Sequence, residues 1–135
     1  MGLRRKARIL AFQTIYSWDI NQASIGDLLD FSWKKEEINN EVAEFSRLLA
    51  GGTVENIEDI DSVIKKNIRN WEFERLAKVD LAILRISVFE ILFQEDVPAG
   101  VTINEAVEIA KSFGSDESYK FINGVLDNIR RTQNG

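Results

Sequence analysis

An all-α fold of about seven helices in two packed bundles is predicted by three observations. Apolar residues recur at three- and four-residue spacing along nearly all of the 135 residues, the period of one helix face. One segment, "VDLAILRISVFEILFQ" (79–94), is apolar on almost every side, which marks a helix enclosed by others. The chain has a single Pro and no stretch that reads as linker, low-complexity segment or solenoid repeat, so little interrupts the helices.

The elements follow in order. A first helix is expected over residues 4–20 and a short one over 24–32, with Ser24 as its cap. A long helical stretch runs from Asn39 to Asn70, with Val42, Phe45, Leu48, Leu49, Ile57, Ile60, Ile64 and Ile68 on its apolar face. Gly51-Gly52 lies inside it. Each Gly costs about 1 kcal/mol against Ala in a helix, so a kink or a close helix crossing is expected there. "NWEFERL" (70–76) breaks the pattern and divides a single domain, 1–135, into an amino-terminal bundle (1–70) and a carboxyl-terminal bundle (71–135). Residues 79–94 form the central helix, which "EDVPAG" (95–100) ends. "TINE" (102–105) has the form of a capping box, in which Thr102 and Glu105 satisfy each other's amides and open a helix to Phe113. Gly114 would close it in the left-handed conformation. Ser115 or Asp116 caps a last helix that ends near Thr132.

Composition narrows the function. The chain has no Cys and no His, so disulfides, thiolate zinc sites, the commonest metal ligand and the usual general base are all missing. No metal or cofactor is expected, and catalysis by this chain is not. No apolar run is long enough to span a bilayer or serve as a signal core, and a cytoplasmic protein with no membrane contact is expected. The net charge of −5 hides an uneven distribution. Residues 1–18 hold four cations and no anion, residues 19–110 nine cations against nineteen anions, and residues 111–135 four against three.

The first cluster, "LRRKARILAF" (3–12), is the least comfortable part of the chain. Arg4, Arg5, Lys6 and Arg8 fall in an opening helical turn, where the backbone dipole disfavours cations by about 0.3–1 kcal/mol each. No acid lies four residues away to pair with them. A polyanion would relieve the placement, and Arg suits both phosphate and the bases of unpaired RNA. A solvated helix end is the alternative. At 100° per residue, Leu3, Ala7, Leu10, Ala11, Thr14 and Trp18 make one mostly apolar stripe. Ile9, Phe12 and Tyr16 make a second, with Arg5 in line. That second stripe is either core, with the helix sandwiched between layers, or a partner surface anchored on an aromatic beside an Arg.

Near the carboxyl end, "AKSFGSDESYKFINGVLDNIRR" (110–131) gathers Ser118, Tyr119, Lys120 and Phe121 at a helix start. Tyr and Lys are residue types that stack on a base and hold a phosphate, and the free amides of a helix start add anion contacts. Phe121 equally suits core packing with Val125 and Ile129.

"RRKARILAFQTIYSWD", "FERLAKVDLAILRISVFEILF" and "VTINEAVEIAKSFGSDESYKFINGVLDNI" resemble the NusB family of bacterial transcription antitermination factors. The similarity spans nearly the whole chain and is weakest over residues 20–40. It implies the two-bundle helical fold and binding to single-stranded boxA RNA of ribosomal RNA leader transcripts. It also implies pairing with NusE (ribosomal protein S-ten) in an antitermination complex that lets RNA polymerase read through terminators. Carried over, it assigns RNA contacts to Arg4, Arg5, Lys6 and Arg8 and to Glu117, Ser118, Tyr119, Lys120 and Phe121. Partner contacts fall on Tyr16 and Asp80, with Phe12 on the same stripe. Asp80 reads otherwise as a helix cap. Three alternatives remain on sequence grounds. One is an accessory RNA-binding domain of a ribosomal RNA methyltransferase, although no strand with a Gly-rich loop is present for a methyl donor. Another is a purely protein-binding helical scaffold. The last concerns assembly: the second stripe could bury itself in a homodimer that masks the RNA site.

Overall fold

The computed structural model describes residues 2–134, so positions 1 and 135 of the expected domain lie outside the described residues. The described residues form seven α-helices and one 3-10 turn. They are α1 (Leu3–Asn21), α2 (Ile25–Leu28), α3 (Asn40–Glu55), α4 (Ile57–Lys66), the 3-10 turn (Phe73–Arg75), α5 (Lys78–Phe93), α6 (Ala99–Phe113) and α7 (Ser118–Asn134). No strand occurs among the described residues.

Helix α5 is the axis of the fold. Residues Asp80–Glu90 are all buried, and the helix packs against α1, α3, α4, α6 and α7. On one side α1 pairs with α3, and on the other α6 pairs with α7. The orientation of α1 follows from its charged contacts. Arg8 bonds Glu90, whereas Asp19 lies 3.5 Å from Lys78 and 3.4 Å from Arg85. Advancing along α1 thus means retreating along α5, so the two are antiparallel. Against α6 the order is reversed: Arg5 meets Glu105 and Phe12 meets Phe113. Helices α1 and α6 therefore run parallel, and α1 is clasped on both sides. Phe12 is accordingly buried at 3% exposure, which assigns this part of the second stripe to the core.

Several local expectations are corrected. The stretch from 39 to 70 is two helices, broken at Asn56 rather than at the glycine pair. The Asn56 side-chain amide donates to the Gly52 carbonyl at 2.8 Å, and Asn67 does the same to Val63 at 2.8 Å, ending α4. Such side-chain bonds compete with continuation of the helix. At the other end Asn39 caps α3, accepting from the Glu41 amide at 2.8 Å. Helix α2 is a single turn, not a helix to residue 32, and Ser24 makes no side-chain capping bond. Phe31 follows with φ of 58°, a left-handed conformation that a bulky residue adopts only when its surroundings enforce it. Its ring is buried, set edge-on to Trp33 and under the Arg47 guanidinium.

The capping box is not formed. Helix α6 starts four residues earlier, with Pro98 as N-cap, and Thr102 is buried within it with its hydroxyl unpartnered. Glu105 is turned to Arg5 instead. Gly114 is extended (φ −92°, ψ −173°), not left-handed. Its small size answers a steric demand, since a Cβ there would lie 2.6 Å from the Ser118 side chain and 2.9 Å from the Ala110 carbonyl.

Of the two readings of the glycine pair, a kink or a close crossing, the structure has the crossing: α3 and α5 approach closely at Gly52. A Cβ at Gly52 would lie 2.3 Å from Phe89 Cζ. Gly52→Ala is expected to destabilise the fold by about 1–3 kcal/mol despite the better helix propensity of Ala. Adding Phe89→Leu should restore part of the loss. Urea unfolding of the three variants followed by circular dichroism measures both effects.

Candidate functional site

The four amino-terminal cations are not equivalent. Arg8 is a core residue, 5% exposed, and its guanidinium grips Glu90, itself 1% exposed. Nε donates to Oε2 at 3.0 Å and Nη2 to Oε1 at 2.5 Å. Arg5 forms a second two-pronged pair, donating to Glu105 at 3.1 and 2.6 Å. Arg8 Nη1 also lies 3.6 Å from Glu105, which links the pairs. Arg4 is exposed, its guanidinium 3.9 Å from the centre of the Phe45 ring. Lys6 is exposed, and no carboxylate lies within ion-pair distance of it or of Arg4 among the described residues.

The expectation that these charges lack intramolecular partners is thereby corrected for two of them. The carboxylates come from α5 and α6, 82 and 100 residues away in sequence, out of reach of any i,i+4 rule. Arg8, assigned by resemblance to RNA, is enclosed by the bundle and has its charge matched there. Arg5 keeps 37% of its side chain exposed, against 18% for Glu105, and so presents one edge outward while bonded. The Glu105 carboxylate raises the Arg5 pKa above its ordinary value, chiefly through the hydrogen bond. In return that bond holds Glu105 below the usual carboxylate range, against the opposing effect of burial.

The carboxyl-terminal cluster divides as well. Ser118 is 2% exposed and spends its hydroxyl on the Ser115 amide, accepting at 2.9 Å. It shapes the turn into α7 and is not available as a surface contact, a second correction. Tyr119 is half-buried, with Lys111 Nζ 5.3 Å and Lys120 Nζ 5.9 Å from its ring centre. Glu117 and Lys120 are exposed and 3.6 Å apart. Phe121 is half-buried and meets Trp71 edge-on, ring centres 5.2 Å apart. Glu117, Lys120 and Phe121 line a groove of about 620 Å³ with the segment Asn67–Trp71.

Helix α6 relates the two clusters. Glu105 holds Arg5, and Lys111, six residues on, reaches Tyr119. At 1.5 Å per residue they are ~9 Å apart along the helix. A second groove of about 590 Å³ opens beside α1, lined by Arg4, Arg5, Arg8, Asp96, Pro98 and Glu105 among others.

The residues that the resemblance assigns to a partner lie toward the other end of α1. Tyr16 is 37% exposed, and Asp19, one turn on, contacts the first turns of α5. Asp80 sits in the first turn of α5 but is not its cap, which is Ala77. It is 9% exposed and its Oδ1 has no hydrogen-bond partner. Phe12 offers no comparable surface and is a core residue. Glu90, Glu105 and Trp71 were not singled out from sequence as parts of the site. Glu90 carried a signal, as a carboxylate within an almost wholly apolar helix needs a buried cation.

Open grooves edged by cations and aromatic rings on a two-bundle helical frame define a helical protein built for surface recognition. The NusB family profile matches residues 5–131. The transcription antitermination protein NusB of Treponema denticola is 47% identical over 129 residues, covering 94% of this chain and 95% of that protein. The one from Exiguobacterium is 43% identical over 126 residues, covering 93% and 95%. Among solved structures, one of antitermination factors NusB and NusE with double-stranded RNA superposes with a TM-score of 0.87 at 31% identity, covering 98% of each chain. This chain belongs to the NusB family.

Two expectations follow from the charged contacts. Arg8→Met should cost about 3–5 kcal/mol of unfolding free energy, because Glu90 is left buried and unpaired, whereas Arg8→Met with Glu90→Leu should recover most of it; denaturant titration distinguishes the two. The Glu105 pKa lies below its unfolded value, so its contribution is present above the ordinary carboxylate range and is lost as pH falls through the folded pKa. Between about pH 5 and about pH 3 the melting temperature of Glu105→Gln should therefore fall less steeply than that of the parent.

Proposed function

We propose that this chain is a transcription antitermination factor that binds boxA RNA of ribosomal RNA leader transcripts together with NusE (ribosomal protein S-ten), and so lets RNA polymerase read through terminators. The observation that carries the reading is the near full-length similarity to antitermination proteins. The surface chemistry supports it. Arg4, Lys6 and the outer edge of Arg5 offer positive charge at the surface. Arg4 is already held on Phe45, so little side-chain freedom is left to lose on binding. Glu117, Tyr119, Lys120 and Phe121 extend the RNA surface on the other side of α6, while Arg8 and Ser118 act by holding the two helix starts in place.

Tyr16 and Asp80 are proposed to face NusE. An exposed phenol supplies an anchor, whereas Asp80 is 9% exposed with its unpartnered Oδ1 enclosed, so its contact with NusE falls to the other carboxylate oxygen. The chain acts as one unit of two bundles, the first over residues 1–70 and the second over 71–135, in the cytoplasm and with no catalytic activity of its own.

Titrating the protein with a boxA oligonucleotide, a shuffled control and a duplex competitor, with and without NusE, tests this reading. Three exposed cations in α1, rather than four, put its part of the slope of log affinity against log salt near −2 on single-stranded RNA. Arg4→Ala with Lys6→Ala should weaken binding and flatten the slope while helix content stays unchanged. Tyr16→Ala and Asp80→Asn should reduce capture of NusE without altering binding of RNA alone. Equal affinity for boxA and shuffled RNA in the presence of NusE would overturn the proposal.

A further inference from the structure

Among the described residues the most exposed large apolar side chain is Trp71, at 61%. It lies in the connector between α4 and the 3-10 turn, in a segment with no helix of its own. Nothing in the packing of the bundles demands an indole there. The ring is nevertheless held, its plane at 65° to that of Phe121 and the centres 5.2 Å apart, an edge-to-face arrangement that aromatic pairs favour. The other wall of the groove is α7. Gly124 lines it, and a Cβ built at that position meets nothing within 4 Å, so the floor beside the rings is open. Arg69 and Lys120 rim the same groove. Arg69 is exposed and has no carboxylate at ion-pair distance among the described residues. The amides of Asn70 and Asn128 are also on the lining, the latter oriented by donating to Asn67 at 2.9 Å.

An exposed flat ring braced from behind, cations at the rim and amides within reach form the set that takes an unpaired base together with its phosphates. We propose that Trp71 is the stacking wall for one unpaired base of the bound RNA, with Arg69 and Lys120 on the adjoining phosphates. The inference rests on the RNA-binding reading above and extends it from α7 to the α4–α5 connector.

The test uses the full chain and the boxA oligonucleotide, with an otherwise identical strand made abasic at each position in turn. With Trp18 and Trp33 replaced by Phe, Trp71 is the only indole left. Its fluorescence should be quenched on RNA binding, and one abasic position should abolish the quench. Trp71→Ala should lower affinity by about ten- to a hundredfold, and Trp71→Phe by no more than about threefold, since a smaller ring still stacks. Unchanged circular dichroism excludes misfolding as the cause. If Trp71→Ala binds RNA as tightly as the parent, the stacking role is overturned and the RNA reading stands. If Trp71→Ala instead loses NusE and keeps RNA, the groove is a protein site and the inference is again overturned. If the parent itself binds no RNA, both readings fall.

Discussion

The buried pair between Arg8 and Glu90 is the constraint on which the rest of the molecule depends. Both side chains are almost fully shielded, so neither can be stable alone, and each must find the other for either helix to be buried. Because Arg8 lies near the start of α1 and Glu90 near the end of α5, the bond fixes their antiparallel register. A second charged knot holds the opposite end. There the Arg85 guanidinium donates to Asp61 at 2.9 Å through both Nε and Nη2 and lies 3.4 Å from Asp19. Apolar packing alone would leave α1 free to slide by a turn against so evenly greasy a helix as α5. Ion pairs at both ends remove that freedom, since a displaced register would bury charges without partners.

Registering α1 also places the surface features. The exposed members of the basic cluster sit at the start of the clasped helix, and Tyr16 lies further along the same helix. The same side of α1 touches α6 through Arg5 and Phe12. Helix α6 then hands on to the turn at Gly114, where Ser118 packs so tightly that a methyl group would not fit. A continuous mechanical path thus runs from the amino-terminal cations to the start of α7. The fold keeps the proposed RNA and partner surfaces at fixed separation while leaving both open to solvent.

The division of labour among the arginines has a general basis. A guanidinium can saturate a carboxylate with two parallel bonds and still present unused N–H groups at its outer edge. Arg8 is enclosed, and its role is internal. Arg5 is matched on one edge only, and Arg4 rests on an aromatic face, so both are oriented before any ligand arrives. Charge that looks uncompensated along the chain is therefore partly a structural device and partly a binding surface, the two parts lying within one turn of each other.

Much of the fold was legible in the sequence. Helical periodicity, the all-round apolar character of residues 79–94 and the Gly51-Gly52 pair gave the helix order, the central element and the close crossing at Gly52, because those depend on local period and side-chain volume. The breaks at Asn56 and Asn67 were less so, since an amide that ends a helix looks the same in sequence as one on a solvated face. The capping box failed for a related reason: its Glu105 was claimed by a guanidinium 100 residues away. The family resemblance rested on the order of residues along the chain and needed no geometry. Which cations are spent and which remain free was decided only by tertiary structure, because an ion pair between α1 and α5 or α6 joins residues that no local spacing relates. The groove at Trp71 likewise exists only once α7 lies beside the connector, for a cavity belongs to two surfaces at once.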